Sequence, residues 1–166
     1  MRKNCSYNFV LAIIFFICLL GAGASFLLQY VFYYNPCPLC IFQRVAVIVT
    51  GLVVLVLLLI SHKKMLTKII SAVLILIPCA FGIVSAGRQI YLQHLPVDQV
   101  PSCGPGLNFL IENNSYFVVL QKVFNGSGEC AVVEKLFYIP LPFWSLVMFV
   151  MIALLAILGI TNKDYI

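Results

Sequence analysis

Charge is what this sequence has least of. Only 9% of its 166 residues are Asp, Glu, Lys or Arg, while 63% are hydrophobic. A soluble domain carries about 25% charged residues, so a chain this size has too few charges to cover a water-facing surface. One helix bundle in lipid fits, and a second domain does not. Internal repeats and low-complexity linkers are missing. So are a haem motif, a nucleotide-binding glycine loop and a convincing metal cluster. The formal net charge of +5 would suit an acidic partner, but the charges segregate by segment. They read as membrane topology, and no nucleic-acid partner is expected.

What is present is four charge-poor apolar runs. Crossing a hydrocarbon core takes about 20 apolar residues as helix. The runs are 9–34, 41–60, 69–87 and 143–160, the second interrupted near its start by Gln43 and Arg44. In lipid they must be helices, because every backbone polar group needs an internal partner. The expectation is an all-α membrane protein, a four-transmembrane-helix bundle forming a single domain over residues 1–166. Pro78 predicts a kink in the third span. Arg2 and Lys3 ahead of the small residues Gly21 to Ser25 imitate a signal peptide. A signal's apolar stretch is about 7–15 residues, and this one continues through Phe26, Leu27, Leu28, Val31 and Phe32, which favours an uncleaved helix.

Basic residues mark the cytoplasmic side. Arg2, Lys3, His62, Lys63, Lys64, Lys68 and Lys163 fall on one side of a four-span chain, so both termini are expected there. Tyr30, Tyr33, Tyr34, Tyr91 and Trp144 fall at the outer ends of spans. The other side receives a short connection, Asn35 to Cys40, and a long loop over about 92–142. Within that loop Tyr116 to Phe124 is apolar but too short to span. It predicts either a helix lying on the membrane surface or an ordinary packed loop helix.

This topology sorts the seven cysteines. Cys37, Cys40, Cys103 and Cys130 face the outer compartment, where disulfides persist. Cys5, Cys18 and Cys79 read as bystanders packing as small hydrophobes. Cys37-Pro38-Leu39-Cys40 can close a small disulfide ring, and such pairs supply the thiolate that exchange requires. It opens the second span, so a helix N-terminus offers N–H groups and a positive dipole end to Cys40. Arg44 follows on the same face if the helix begins this early. At that depth it either serves the site, by holding a Cys40 thiolate and a carbonyl oxygen, or snorkels to lipid headgroups. Cys103 and Cys130 lie in turn-rich segments. A disulfide between them would be an accessible exchange site or a plain staple. A four-cysteine zinc site would want a second close pair, which is missing.

The stretch Pro36 to Arg44, the run from Gly87-Arg88 through Leu95-Pro96 to Cys103-Gly104-Pro105, the segment Val123 to Cys130 and Leu141-Pro142-Phe143-Trp144 together resemble the DsbB family of bacterial inner-membrane thiol oxidases. The resemblance covers nearly the whole chain, in order. It implies that Cys103 receives attack from a reduced periplasmic thioredoxin-fold oxidase like DsbA, with Cys130 as its disulfide partner. Cys37 and Cys40 would accept the electrons next. Cys40 and Arg44 would bind a membrane quinone (ubiquinone or menaquinone), held non-covalently or as a transient Cys40 adduct. Some members carry Glu before that arginine, where this chain has Gln43. Arg88, Tyr91 and His94 lie near the same end of the third span without a matched role. The implied place is the inner membrane, multi-pass in the lipid bilayer, with the redox loops periplasmic. Two other classes compete. A membrane scaffold would use its outer disulfides only as staples, and an outward-directed thiol reductase would need a cytoplasmic dithiol, where only Cys5 and Cys18 lie near.

Overall fold

The computed structural model describes residues 2–34, 36–60, 64–96, 118, 128–131, 135, 136 and 138–161. Their elements run α1 (Arg2–Tyr30), α2 (Pro38–Leu58), α3 (Met65–Gln93), a one-turn α4 (Gly128–Ala131), β1 (Lys135–Leu136), β2 (Ile139–Pro140) and α5 (Leu141–Thr161). The four long helices each contain a stretch of mean hydropathy 2.5 to 2.7, long enough to cross a bilayer. This is the expected four-helix membrane bundle. Cys103 and most of the Tyr116 to Phe124 segment lie outside the described residues; Val118 alone of that segment is described, and it is helical.

Several boundaries differ from the hydropathy reading, for local reasons. The first run was expected to reach Tyr34, but α1 ends at Tyr30. Pro36 and Pro38 cannot donate to a continuing helix, and the chain turns with Tyr33 at φ 55 and Tyr34 N–H bonded back to Leu28 O at 3.2 Å. At the other extreme α3 exceeds its expected limits at both ends. Lys68 bounds the charge-free run yet sits inside the helix, 7% exposed, with Nζ 5.6 Å from the Tyr7 ring centre. Its long stem packs while its charge meets an aromatic face. At 29 residues α3 is about 43 Å long, more than a hydrocarbon core of about 30 Å. It runs through Pro78 as one helix.

Packing closes a ring: α1 lies against α2, α2 against α3, α3 against α5, and α5 returns to α1. Ile14, Val54, Ile75, Cys79, Phe149 and Ile152 are fully buried at its centre. Cys18 belongs to the same core, as expected of a packing cysteine. Gly82 lets α3 and α5 approach, since a Cβ there would meet the Phe149 ring at 2.5 Å. Outward faces carry Leu19, Leu52, Ile77 and Leu154, all more than half exposed. Water would not tolerate so apolar an exterior, and lipid does. A second small core forms at one end of the bundle, where Leu39, Leu92, Cys37 and Cys130 are buried together. There the hairpin β1–β2, paired Lys135 to Pro140 and Leu136 to Ile139, turns with Tyr138 at φ 66 and leads directly into α5.

Candidate functional site

Two prolines build the frame of the site. A residue ahead of proline is pushed out of the helical region, and Cys37 is extended, at φ −68 and ψ 161. Pro38 then occupies the first helical position, where a missing N–H costs nothing. Cys37 thereby becomes the N-cap of α2, and its sulfur accepts a hydrogen bond from the Cys40 N–H at 3.3 Å. Oxygen usually fills that role. Cys40 falls in the first helical turn and Arg44 one turn deeper.

Three sulfurs converge here. Cys37 Sγ and Cys40 Sγ are 2.8 Å apart; a disulfide is about 2.05 Å, so closing one needs less than about 1 Å of movement. Cys37 Sγ also hydrogen-bonds the Cys130 thiol, which α4 brings onto Leu39 and Leu92. Among the described residues no disulfide joins these three sulfurs. The hydrogen bond with Cys130, then that with Cys40, then burial push the Cys37 thiol well above the ordinary thiol range. Cys37 therefore keeps its proton at neutral pH.

Beside the sulfurs lies a pair of buried carboxamides. Gln43 Nε2 donates to Gln89 Oε1 at 2.8 Å. Gln89 Nε2 is 3.2 Å from Cys40 Sγ and 3.4 Å from Cys37 Sγ. Both glutamines are nearly inaccessible.

On the far side of Cys40 a cavity of about 220 Å³ opens between α1, α2 and α5. Its walls are mainly apolar, with Leu28, Val47, Leu141, Met148 and Phe149 among them, and Cys40, Gln43 and Arg44 supply polar atoms. Arg44 is held from α1: it donates to Gln29 Oε1 and, at 3.1 Å, to the Ser25 carbonyl, and its guanidinium lies 4.6 Å from the Phe26 ring centre. That anchoring ties Arg44 to α1 at the wall of the cavity. Its Nε is buried and has no partner among the described residues. A flat, mostly apolar molecule with a carbonyl acceptor fits this donor set.

The comparisons with known proteins now bear on this geometry. The family model described as "Disulfide bond formation protein DsbB" matches residues 7–159. Proteins named Disulfide bond formation protein B are similar to the chain throughout. The one from Acinetobacter baumannii is 40% identical over 92% of this chain and 90% of its own length. That from Nitrosococcus oceani is 41% identical over 95% and 92%, and that from Hahella chejuensis 42% over 82% and 86%. No solved structure matches. The chain belongs to the DsbB family. It is thus a multi-pass membrane protein of a family concerned with disulfide bond formation.

Within this DsbB-family bundle, Cys40 and Arg44 line one cavity, while Cys37, the extended N-cap of α2, lies against Cys40 and outside that lining. Cys130 departs from expectation. Its turn-rich surroundings predicted an accessible loop cysteine, but its exposure is 0%, because α4 docks on the ends of α2 and α3. Arg88 stacks on Tyr91, with 5.2 Å to the ring centre. His94 Nδ1 lies 2.8 Å from the Ile90 carbonyl at the end of α3. Neither they nor Tyr91 line the cavity. Sequence reasoning missed Gln29 and Gln89. Gln29 is a polar residue in an apolar run, the signal that marked Arg44, whereas Gln89 lies just past the end of the third run, beside Arg88, and carried no such signal.

Proposed function

We propose that this chain is a thiol:quinone oxidoreductase of the bacterial inner membrane, reoxidising a periplasmic DsbA-like dithiol oxidase. The observation that carries the reading is that Cys37 contacts both Cys40 and Cys130, while Cys40 borders an apolar cavity shared with Arg44. One sulfur thus faces a cysteine of the long loop and another faces an apolar cavity. A scaffold with structural staples has no use for that arrangement.

The exchange proceeds by attack of thiolate on disulfide sulfur. A partner thiolate attacks Cys103 of a Cys103–Cys130 disulfide, and Cys130 leaves as thiolate. The partner's second thiolate resolves the mixed disulfide and frees Cys103. Cys130 then attacks Cys37 of an oxidised Cys37–Cys40 pair, and Cys40 leaves as thiolate. Cys103 resolves the Cys37–Cys130 bond, restoring the first disulfide. Two electrons have moved from the partner to Cys37 and Cys40. Since Cys37 holds its proton, the charge of the reduced pair falls on Cys40, in the first turn of α2, where the helix dipole favours it.

A bound quinone would accept those two electrons with two protons. Arg44, fixed by Gln29 and Ser25, is the residue to hold a carbonyl oxygen, and the apolar walls exclude water. The orientation that puts both termini in the cytoplasm gives the partner access to the loop and lipid access to the cavity.

Anaerobic mixing of the purified protein, a reduced DsbA-like partner and a quinone tests the reading. Quinone absorbance should fall as partner disulfide appears, one for one. A reduced partner that lacks its second cysteine should be trapped on Cys103 with Cys130 released as thiolate, because no partner thiolate remains to resolve the mixed disulfide, as seen on a non-reducing gel and by mass spectrometry. In Cys40→Ser, partner exchange should persist while quinone reduction stops. A partner trapped on Cys37 or Cys40 with Cys103 uninvolved would reverse the order.

A further inference from the structure

Gln89 belongs to α3, contributes to no cysteine motif, and yet touches both sulfurs of the Cys37–Cys40 pair. Its amide nitrogen lies 3.2 Å from Cys40 Sγ and 3.4 Å from Cys37 Sγ, and its amide oxygen lies 3.5 Å from Cys40 Sγ. Its exposure is 4%. A carboxamide buried this deeply is costly unless its groups are bonded. Here the sulfurs and Gln43, itself 6% exposed, are the partners.

The direction of the amide carries chemical meaning. Gln43 Nε2 donates to Gln89 Oε1 at 2.8 Å, and this bond turns Gln89 Nε2 toward the sulfurs. A thiolate only accepts hydrogen bonds, so it is served by the amide N–H. A thiol can instead donate, and Gln89 Oε1 stands within reach of the Cys40 S–H. One uncharged side chain can therefore accompany Cys40 through both protonation states. A carboxylate in the same place would repel the thiolate, and an aliphatic side chain would leave it bare.

We infer that Gln89, oriented by Gln43, is a positioning residue of the dithiol: its amide N–H supports negative charge on Cys40 when the Cys37–Cys40 bond is open. The inference rests on the reading of Cys37 and Cys40 as a redox pair, but not on the identity of partner or quinone. Other titratable or charged groups near Cys40 are Cys37 on α2, Cys130 on α4, and Arg44 and Tyr34 around the cavity. The described cavity residues of α1 and α5 are uncharged. Arg44 can act on the same sulfur only through its charge; Gln89 reaches it with a hydrogen-bond donor from the opposite helix.

The test is alkylation of Cys40 by iodoacetamide as a function of pH. It uses the full chain in detergent with Cys37, Cys103 and Cys130 replaced by Ala, and mass spectrometry locates the label. Gln89→Met keeps the length of the side chain and removes the amide. Losing a hydrogen bond to a charged group should lower the rate at neutral pH by about tenfold or more. The limiting rate at high pH should stay near that of the parent, so the profile moves toward alkaline pH. Gln89→Glu retains the acceptor for Gln43, which guards against misfolding of the Met variant. It should also be slower than the parent at neutral pH, because a carboxylate faces the sulfur. If both variants follow the parent's profile, Gln89 is a packing residue and the inference fails. A uniform drop at every pH would mean altered access and would overturn it equally. Neither quinone nor partner takes part, so loss of quinone reduction with a shifted alkylation profile would count against the proposed function alone.

Discussion

Replacing Arg44 by Met should weaken quinone use and leave thiol exchange intact. Methionine preserves much of the aliphatic bulk but removes the guanidinium. That group binds Gln29 Oε1 and the Ser25 carbonyl and lies over Phe26, which leaves the buried Nε and the second N–H of each terminal nitrogen as donors for a ligand. A hydrogen bond from a charged donor contributes about 1.5–3 kcal/mol in a buried site. Losing it should raise the apparent quinone KM by roughly 10- to 150-fold. Arg44→Lys keeps the charge without the planar fork and should lie between. Gln29→Leu removes the anchor and not the donor, so an effect of about fivefold is expected, matching one ordinary hydrogen bond near 1 kcal/mol. The assay is the initial rate of quinone reduction against quinone concentration, with reduced partner saturating. A single turnover without quinone, in which the partner is oxidised by preloaded disulfide, should be unchanged in all three. An unaltered quinone dependence in Arg44→Met would refute the reasoning, whatever the effect of the other two.

Gly82→Ala should destabilise the bundle by about 1–3 kcal/mol, because its Cβ would meet the Phe149 ring at 2.5 Å, whereas Gly23→Ala, with nothing within 4 Å, should be neutral; thermal unfolding in detergent compares them. The contribution of the Cys37 thiol to the stability of the fully reduced protein should be constant below about pH 9 and be lost above it. The folded state holds the Cys37 proton beyond the ordinary thiol value of 9.0, so the unfolded chain releases a proton that the folded one retains. Cys37→Ala should flatten that alkaline decline, and an equal decline in both proteins would show that other groups cause it. Reporter fusions after Lys64 and near Asn113 should report opposite sides of the membrane, with Lys64 cytoplasmic; the same side for both would remove the four-span topology.

Composition alone decided the class of this protein. A chain with so few charges can be stable only in lipid, and lipid permits only closed backbone hydrogen bonding, so four apolar runs had to become four helices. Cys37 and Cys40 were legible for a related reason. Pro36 and Pro38 dictate an N-cap and a helix start, and those are local steric facts. Arg44 followed from helical spacing. The ends of α1 and α3 were less legible, since hydropathy locates the lipid-facing stretch and not where hydrogen bonding stops. Lys68 stays helical because the Tyr7 ring receives it, a contact across 61 positions of sequence that no local rule contains. The same holds at the site. That Gln29 would hold Arg44, that Gln89 would reach both sulfurs and that Cys130 would be buried against Cys37 depend on which helices pack side by side. Such pairings are set by side-chain volume at close approaches such as Gly82 on Phe149, and only the folded bundle decides them.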